Sequence, residues 1–508
     1  MVFWEEVTMF GFGKKGPAAV EIDAGAKAYQ AFIGGEWRST QAHFDDLNPT
    51  TRQVLARAPD CTLGDMEAAI AAADAAQPAW EALPPAARAE LFYKAADIFI
   101  ARQQEFCDAL VAETGSGFGK AMFECSLVPL ALREAAALAT RTTGEIMPSN
   151  VPGKVNMAQR KAAGVVGVIS PWNFPLYLSL RGFIYGMALG NTAVLKPSED
   201  SPLTGGLMIA SLFEDAGFPK GTFNVVTCSR DRVAELGDKL ISDPRVARIS
   251  FTGSTAVGRE VAKACAAQFK RVILEMGGKN PVVVLEDADV DQAVNIAFFG
   301  AFMHQGQICM SADKIIVARR LYDEFLAKFV AKVEMFKPIE PGNPMCVIGP
   351  IINDRQLNRI DRLVRAASEG GATIHTGGRM QAPFFQPTVI TGVTPGMAIY
   401  KEEIFGPVAL VIPAASEDEA IAIANDTPYG LSAGIVTGDV MRGQMLAPRI
   451  QAGMVHVNDS PVHDEPHCPF GGMKSSGWTG KWGGSGAIEF YTDQQWISVQ
   501  AAPRQYPF

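Results

Sequence analysis

The fold is decided by Ala163-Gly164-Val165-Val166-Gly167-Val168-Ile169-Ser170-Pro171, where the hydrophobic period of the chain changes. Before it, from 63 to about 117, apolar residues recur every three or four positions. Met66, Ile70 and Ala73, then Leu91, Ala95 and Ile98, mark helices with one buried face. Pro84-Pro85 separates two such helices, and a third is expected over 122–140. At Ala163 this gives way to a short β-branched run. Beyond it, expected strands at 192–195, 222–226, 247–251 and 271–275 alternate with helical segments at 177–189, 204–216, 232–242 and 256–268. That alternation predicts a parallel sheet with helices on both faces. Such a sheet binds ligands beyond the carboxyl ends of its strands. The pattern restarts at Pro281-Val282-Val283-Val284-Leu285 and runs to about Val455, which predicts a second α/β domain. After Gly484 the segment Gln495-Trp496-Ile497-Ser498-Val499 reads as a strand. Residues 1–30, with Gly11, Gly13, Gly16 and Pro17, read as a loose extension, with order expected from Ala31-Phe32-Ile33.

A chain of 508 residues exceeds the size at which one core keeps growing, so two or more domains are expected. The net charge of −9 and the lack of a Lys/Arg block argue against nucleic-acid binding, which needs a basic face. Eight cysteines are scattered with no C-x-x-C, which disfavours a disulfide framework or structural zinc and suits a reducing compartment. Met1-Val2-Phe3-Trp4-Glu5-Glu6 has acids where a signal peptide needs a basic start. No run of about 18 apolar residues is present, so no membrane span is expected. A soluble, cytoplasmic protein is the expectation.

The unusual residues cluster at the predicted strand ends. Ile169-Ser170-Pro171-Trp172-Asn173-Phe174-Pro175 holds an amide between two prolines. Leu195-Lys196-Pro197-Ser198-Glu199 holds a cation and a carboxylate. Phe251-Thr252-Gly253-Ser254-Thr255 leads into a helix, a geometry suited to anions. The usual G-x-G-x-x-G fingerprint is absent after the first strand. Glu275 closes a strand before Met276-Gly277-Gly278, and glycines there allow close backbone approach to a ligand. His304-Gln305-Gly306-Gln307-Ile308-Cys309-Met310-Ser311 places a thiol after a turn and before the strand Lys314-Ile315-Ile316-Val317-Ala318. A Cys is by habit a small buried hydrophobe. A thiol, a carboxylate and a side-chain amide are also the parts of a covalent thioester mechanism.

The sequence resembles the aldehyde dehydrogenase superfamily from about Phe32 to Val499. The resemblance rests on P-W-N-F-P, L-K-P-S-E, F-T-G-S-T-x-x-G, L-E-M-G-G-K-N-P, G-Q-x-C, E-E-I-F-G-P-V at 402–408 and P-F-G-G-x-K at 469–474. One motif is weak evidence; seven in order are highly specific. The resemblance implies an α/β fold with a Rossmann-type NAD-binding domain (31–145 and 163–277). An α/β catalytic domain (278–484) and small bridging, oligomerising segments (146–162 and 485–508) complete it. It implies Cys309 as nucleophile, Asn173 with the Cys309 N–H as oxyanion hole, and Glu275 as the base that activates water. Lys196 and Glu199 would grip the adenosine ribose and Glu403 the nicotinamide ribose. Ile169, Trp172, Ser198, Gly253, Ser254, Gly277 and Phe405 would complete the cofactor site. A carboxylate such as Glu199 repels a 2′-phosphate, which favours NAD, with NADP as the less favoured cofactor.

The presence of Glu275 favours a free carboxylic acid as product. Arg181, where many aliphatic-aldehyde members carry an aromatic, and the segment 458–468 look like the benzaldehyde, vanillin and salicylaldehyde dehydrogenase group. Arg181 reads either as half of a buried ion pair or as a guanidinium facing an aromatic substrate. Phe174, Tyr177, Leu178 and Ile308 are candidate apolar walls of a small-molecule aldehyde site. Lys481 stands where many relatives have Glu and Gly182 where some have Lys, so a proton path through those positions is not expected. Cys228 stands where the family usually has Gly. His463, His467 and Cys468 match no zinc spacing, and no metal is expected. Aliphatic or semialdehyde oxidation, or a non-catalytic member of the fold, are the alternatives. A homodimer or homotetramer is expected, because a lone tail strand leaves an unpaired edge.

Overall fold

The computed structural model describes residues 16–21, 27–141 and 144–508. Val165–Ile169 lies inside an eight-stranded sheet. Thr192–Lys196 and Phe223–Val225 lie on one side of it, Val246–Thr252 and Arg271–Glu275 on the other, and these five strands are parallel. They are buried almost throughout, as strands covered on both faces must be. The chain first builds outward from Val165–Ile169 and then returns to its other side. Strand order therefore reverses there, and a crevice opens beyond Ile169 and Thr252.

Antiparallel strands close the edges of this sheet. Ala31–Ile33 and Glu36–Arg38 close one, and Gly477–Trp478 closes the other by pairing with Arg271–Glu275. The second pairing amends the expected domain division. Residues 477–478 fall in the 278–484 segment, yet they extend the first sheet, and Met276 N–H donates to Ser476 O at 2.8 Å.

The helices Leu63–Ala82, Pro85–Thr114 and Phe118–Ala139 match the 3.6-residue period. Thr62 and Asp65 form a reciprocal capping box on the first, and Pro85 opens the second where its missing N–H costs nothing. Two helices differ from expectation. The 177–189 segment divides into Pro175–Arg181 and Ile184–Ala188. Gly182 packs so close to Val168 that a Cβ would stand 2.6 Å from its Cγ1, and Tyr491 Oη donates to its carbonyl at 2.7 Å. The 204–216 helix opens with a wide turn, Leu203–Leu207, because buried Glu113 accepts the N–H groups of Leu203 and Thr204 at 2.7 and 2.8 Å.

The loose extension expected up to residue 30 is also corrected. Ala19–Glu21 and Lys27–Tyr29 are strands, joined to Val54–Pro59 and His43–Leu47 in a four-stranded sheet. The remaining residues of the expected extension, 1–15 and 22–26, lie outside the described residues.

The second sheet runs Thr373–Thr376, Thr388–Thr391, Val408–Ala414, Ala312–Ala318, Asn280–Val284, Ser432–Val436 and Met454–Val457, with only the first antiparallel. Buried Lys279, past the end of the first sheet, pairs at 3.0 Å with Asp313 on this one. A third sheet pairs Thr492–Gln500 and Gly144–Met147 with Lys154–Ala162. Trp496 and Ile146 on its outer strands are largely exposed. Among the described residues no helix is long and apolar enough to cross a membrane.

Candidate active site

The turn ahead of Cys309 is held in an unusual shape. His304, Gln305 and Gly306 all have left-handed backbones, with φ of 51°, 52° and 69°. A Cβ on Gly306 would stand 2.1 Å from the Gly406 carbonyl oxygen, so only glycine fits. The non-glycine residues cost on the order of 1–3 kcal/mol each. Gln305 Nε2 offsets part of this by donating to Pro350 O at 2.8 Å. Downstream, the Cys309 carbonyl accepts from Asn280 Nδ2 at 2.9 Å. The result leaves Cys309 half-buried. Of the eight cysteines only Cys309 and the exposed Cys468 are not buried.

Asn173 is buried, and its Nδ2 donates to Gln307 O at 3.0 Å. One amide hydrogen is thereby fixed and the other remains to donate. Glu275 is buried too. Its Oε1 accepts from Gly472 N–H at 3.0 Å, while Oε2 has no partner among the described residues. Burial pushes the Glu275 carboxyl up to about 8, against the pull of Arg181. Burial, then the nearby Glu275 charge, push the Cys309 thiol up to about 12, again opposed by Arg181. The Glu275 carboxylate and the Arg181 guanidinium thus both act on the Cys309 thiol, in opposite directions.

The crevice of the first sheet collects the expected cofactor residues. Ile169 ends one strand, and Trp172 follows it. Lys196, buried, ends the next, with Ser198 and Glu199 just beyond. Ser198 Oγ accepts from Asp200 N–H at 3.2 Å. Ser254 caps the helix Thr255–Ala267, its Oγ accepting from Val257 N–H at 3.4 Å, and Gly253 N–H donates to Glu275 O at 3.0 Å. The open first turn of that helix favours an anion. Glu403 Oε1 accepts from Gly278 N–H at 3.0 Å. Its other oxygen lies 2.3 Å from where a Cβ on Gly277 would stand. Gly277 is therefore a cradle for that carboxylate. Phe405, with φ of 56°, sets its ring edge-on to Trp172 at 5.5 Å. A helix start open to an anion, carboxylates at Glu199 and Glu403 and an edge-on aromatic pair are groups of the kind a nicotinamide dinucleotide would need.

Arg181 makes the ion pair, one of its two sequence readings. Its Nη1 lies 2.5 Å from Asp464 Oδ2, and its guanidinium stands 3.8 Å from the Phe470 ring centre, 4.6 Å from Trp482 and 5.3 Å from Tyr177. Phe174, Tyr177, Leu178 and Ile308 belong to one buried cluster, against which Cys309 packs. Met454, Phe470 and Trp482 join the same cluster and were not singled out from the sequence as walls. Asp464 was also missed. It lies within the segment 458–468, but nothing in its spacing pairs it with an arginine 283 residues earlier.

A cavity of about 380 Å³ adjoins this pair, lined by Met454, His456, His463, Asp464, Cys468 and Phe470 among others. At its rim His463 turns to Glu465 at 3.2 Å, and ligand atoms of exposed Glu465, His467 and Cys468 come within 4.8 Å of one another. Lys481 Nζ donates to Gly453 O at 3.3 Å and its stem packs on Gly471, beside Glu275.

Residues 37–497 match the profile of the Aldehyde dehydrogenase family. The chain belongs to the aldehyde dehydrogenase family. It is 42% identical over 479 residues to a benzaldehyde dehydrogenase of Bacillus subtilis (strain 168), covering 94% of this chain and 98% of that protein. It is 41% identical over 462 residues to the benzaldehyde dehydrogenase [NAD(+)] of Pseudomonas putida, covering 91% and 94%. Among solved structures, a salicylaldehyde dehydrogenase from Pseudomonas putida G7, complexed with salicylaldehyde, superposes with a TM-score of 0.92 at 37% identity, over 95% of this chain and all of that one. As a member of the aldehyde dehydrogenase family, the protein is an oxidoreductase acting on a small-molecule aldehyde, with NAD(P) as the family's cofactor.

Proposed function

We propose that this aldehyde dehydrogenase oxidises aromatic aldehydes to carboxylic acids with NAD as the preferred cofactor. The observation that carries the reading is half-buried Cys309, packed against a cluster of aromatic and aliphatic side chains, with Asn173 bonded to Gln307 just before it and Glu275 close enough to act on its thiol. Its relatives named for benzaldehyde and salicylaldehyde support the aromatic class.

Cys309 Sγ, as the thiolate, attacks the aldehyde carbon. The oxygen of the carbonyl becomes an oxyanion and accepts from the free hydrogen of Asn173 Nδ2. A preorganised donor of this kind contributes roughly 3–4 kcal/mol to the barrier. Held by the residues of the crevice, NAD would supply the hydride acceptor and a positive ring that favours the thiolate. Loss of hydride from carbon leaves a thioester on Cys309. Glu275 takes a proton from water, the hydroxide adds to the thioester, and the C–S bond breaks to release the acid and the thiolate. Phe174, Tyr177, Leu178, Ile308 and Phe470 enclose the ring and exclude other water. Glu403 and Glu199 bind the two riboses. The exposed outer strands of the third sheet suit a homodimer or homotetramer, in which each edge gains a partner.

The test is a rate panel with NAD: substituted benzaldehydes against short alkanals and succinic semialdehyde, with Cys309→Ala as control. Benzaldehydes should lead in kcat/KM. Faster turnover of the alkanals or the semialdehyde rejects the aromatic assignment.

A further inference from the structure

The loop that follows Met454–Val457 gathers chemistry that the reaction at Cys309 does not use. Cys468 N–H donates to Glu465 O at 2.9 Å and closes a turn. Ligand atoms of Glu465, His467 and Cys468 all lie within 4.8 Å of one another above it. The turn is firmly held. Buried Tyr185 Oη donates to Pro466 O at 3.1 Å, and Gly483 packs so close that a Cβ there would overlap the carbonyl oxygens of Pro466 and Cys468. The three side chains are exposed and free to adjust.

Glu465 is the hub of the group. His463 Nε2 lies 3.2 Å from its Oε1 and His467 Nε2 3.4 Å from its Oε2. His463 Nδ1 in turn lies 3.7 Å from Asp459 Oδ2. Ion pairing accounts for the imidazoles but gives the thiol no part, whereas a metal ion uses carboxylate, imidazole and thiol together. Tetrahedral bonds of about 2.0–2.3 Å put ligand atoms roughly 3.3–3.8 Å apart, so side-chain movement of about 1 Å completes the site. Glu465 and the Cys468 thiolate supply two negative charges and His467 a neutral nitrogen, which matches one divalent ion. Thiolate and imidazole select zinc over magnesium or calcium. His463 then holds the other oxygen of Glu465, and Asp459 holds His463, the outer support that a metal ligand needs. Spacing along the chain hides the set, because the carboxylate between the two histidines belongs to no standard zinc pattern.

We propose that Glu465, His467 and Cys468 form a binding site for zinc or a divalent ion of like softness, with water as its fourth ligand. The site uses none of the residues assigned to catalysis. On binding, the Cys468 thiol gives its proton to solvent. Glu465 and Cys468 both line the cavity beside Arg181, so the ion ties its rim together next to Asp464, the partner of that arginine.

The test uses the untagged full chain carrying Cys309→Ala, so that the catalytic thiol cannot capture the ion. Cobalt(II), as a coloured stand-in for zinc, should give a thiolate charge-transfer band and tetrahedral visible bands that saturate at one equivalent per chain, and zinc should displace it. Adding Cys468→Ser should abolish the charge-transfer band. Zinc affinity, read by competition, should fall more than about tenfold in His467→Ala and about tenfold in His463→Ala. His43→Ala, at an exposed histidine elsewhere, should leave it unchanged. A charge-transfer band that survives Cys468→Ser puts the ion on another thiol and overturns the proposal. So does absence of the band from the Cys309→Ala chain, or zinc binding that none of these variants alters, an adventitious ion only.

Discussion

Arg181 Nη1 and Asp464 Oδ2 meet at 2.5 Å with only 3% and 7% of their side chains exposed. They link the helix Pro175–Arg181 to the loop after Met454–Val457, so one contact ties the wall behind Asn173 to the rim of the cavity. Breaking a buried pair strands a charge. Asp464→Asn should therefore lower stability by about 3–5 kcal/mol, read as a shift in the urea midpoint. Replacing both residues with apolar side chains of similar size should recover most of it. A single variant as stable as wild type would show the pair to be solvated in solution.

Glu275 divides the two half-reactions. Glu275→Gln should keep a burst of NADH, about one per active subunit, and lose steady turnover, because forming the thioester needs no base at that position. The base acts only when ionised, and its carboxyl is pushed up to about 8, so turnover limited by hydrolysis should climb as pH rises through about 8. A pH-independent kcat from 6 to 9, with hydrolysis limiting, would remove Glu275 from that role.

The Cys309 thiol, pushed up to about 12 by burial and by Glu275, is protonated in the free protein at neutral pH. Iodoacetamide should label it slowly, faster as pH rises, and faster at fixed pH once NAD is present, because a cation near the sulfur favours the thiolate. Mass spectrometry of the peptide containing Cys309 reads both trends. Labelling unaffected by NAD would mean that the ring does not reach the sulfur.

Gly277→Ala tests the cradle under Glu403. The added Cβ would stand 2.3 Å from Glu403 Oε2, so the carboxylate must move. Affinity for NAD should fall about tenfold, the size expected for one charge-assisted hydrogen bond, with little change in melting temperature. Unchanged NAD affinity would dissociate Glu403 from the nicotinamide ribose.

The legible part of this molecule was its periodicity and its strand ends. Val165–Ile169 and Thr192–Lys196 announce themselves because a parallel strand buried on both faces reads as a short apolar run, here Val165-Val166-Gly167-Val168-Ile169 and Ala193-Val194-Leu195. Asn173, Glu275 and Cys309 could be named from local motifs, since each sits at a strand end or a tight turn. What the sequence concealed is pairing over distance. Asp464 with Arg181, Gly277 with Glu403 and Arg230 with Glu199 each join segments that only the folded chain brings together. The break at Gly182 was hidden likewise, since the ring that takes its carbonyl belongs to Tyr491. In the same way, Ala19–Glu21 lacks any pattern of its own and becomes a strand by pairing with Lys27–Tyr29, which Val54–Pro59 holds from the other side.

The two-residue strand Gly477–Trp478 gives the later half of the chain a clasp on the earlier one. It borders the strand that ends in Glu275, and the same loop supplies the Gly472 N–H that holds the carboxylate. A single proteolytic nick between 472 and 477 should therefore disarm the protein while Cys309, Asn173 and Glu275 remain intact. Such a clipped enzyme should still be acylated by aldehyde and should stall there, a trapped thioester that mass spectrometry of the Cys309 fragment would reveal.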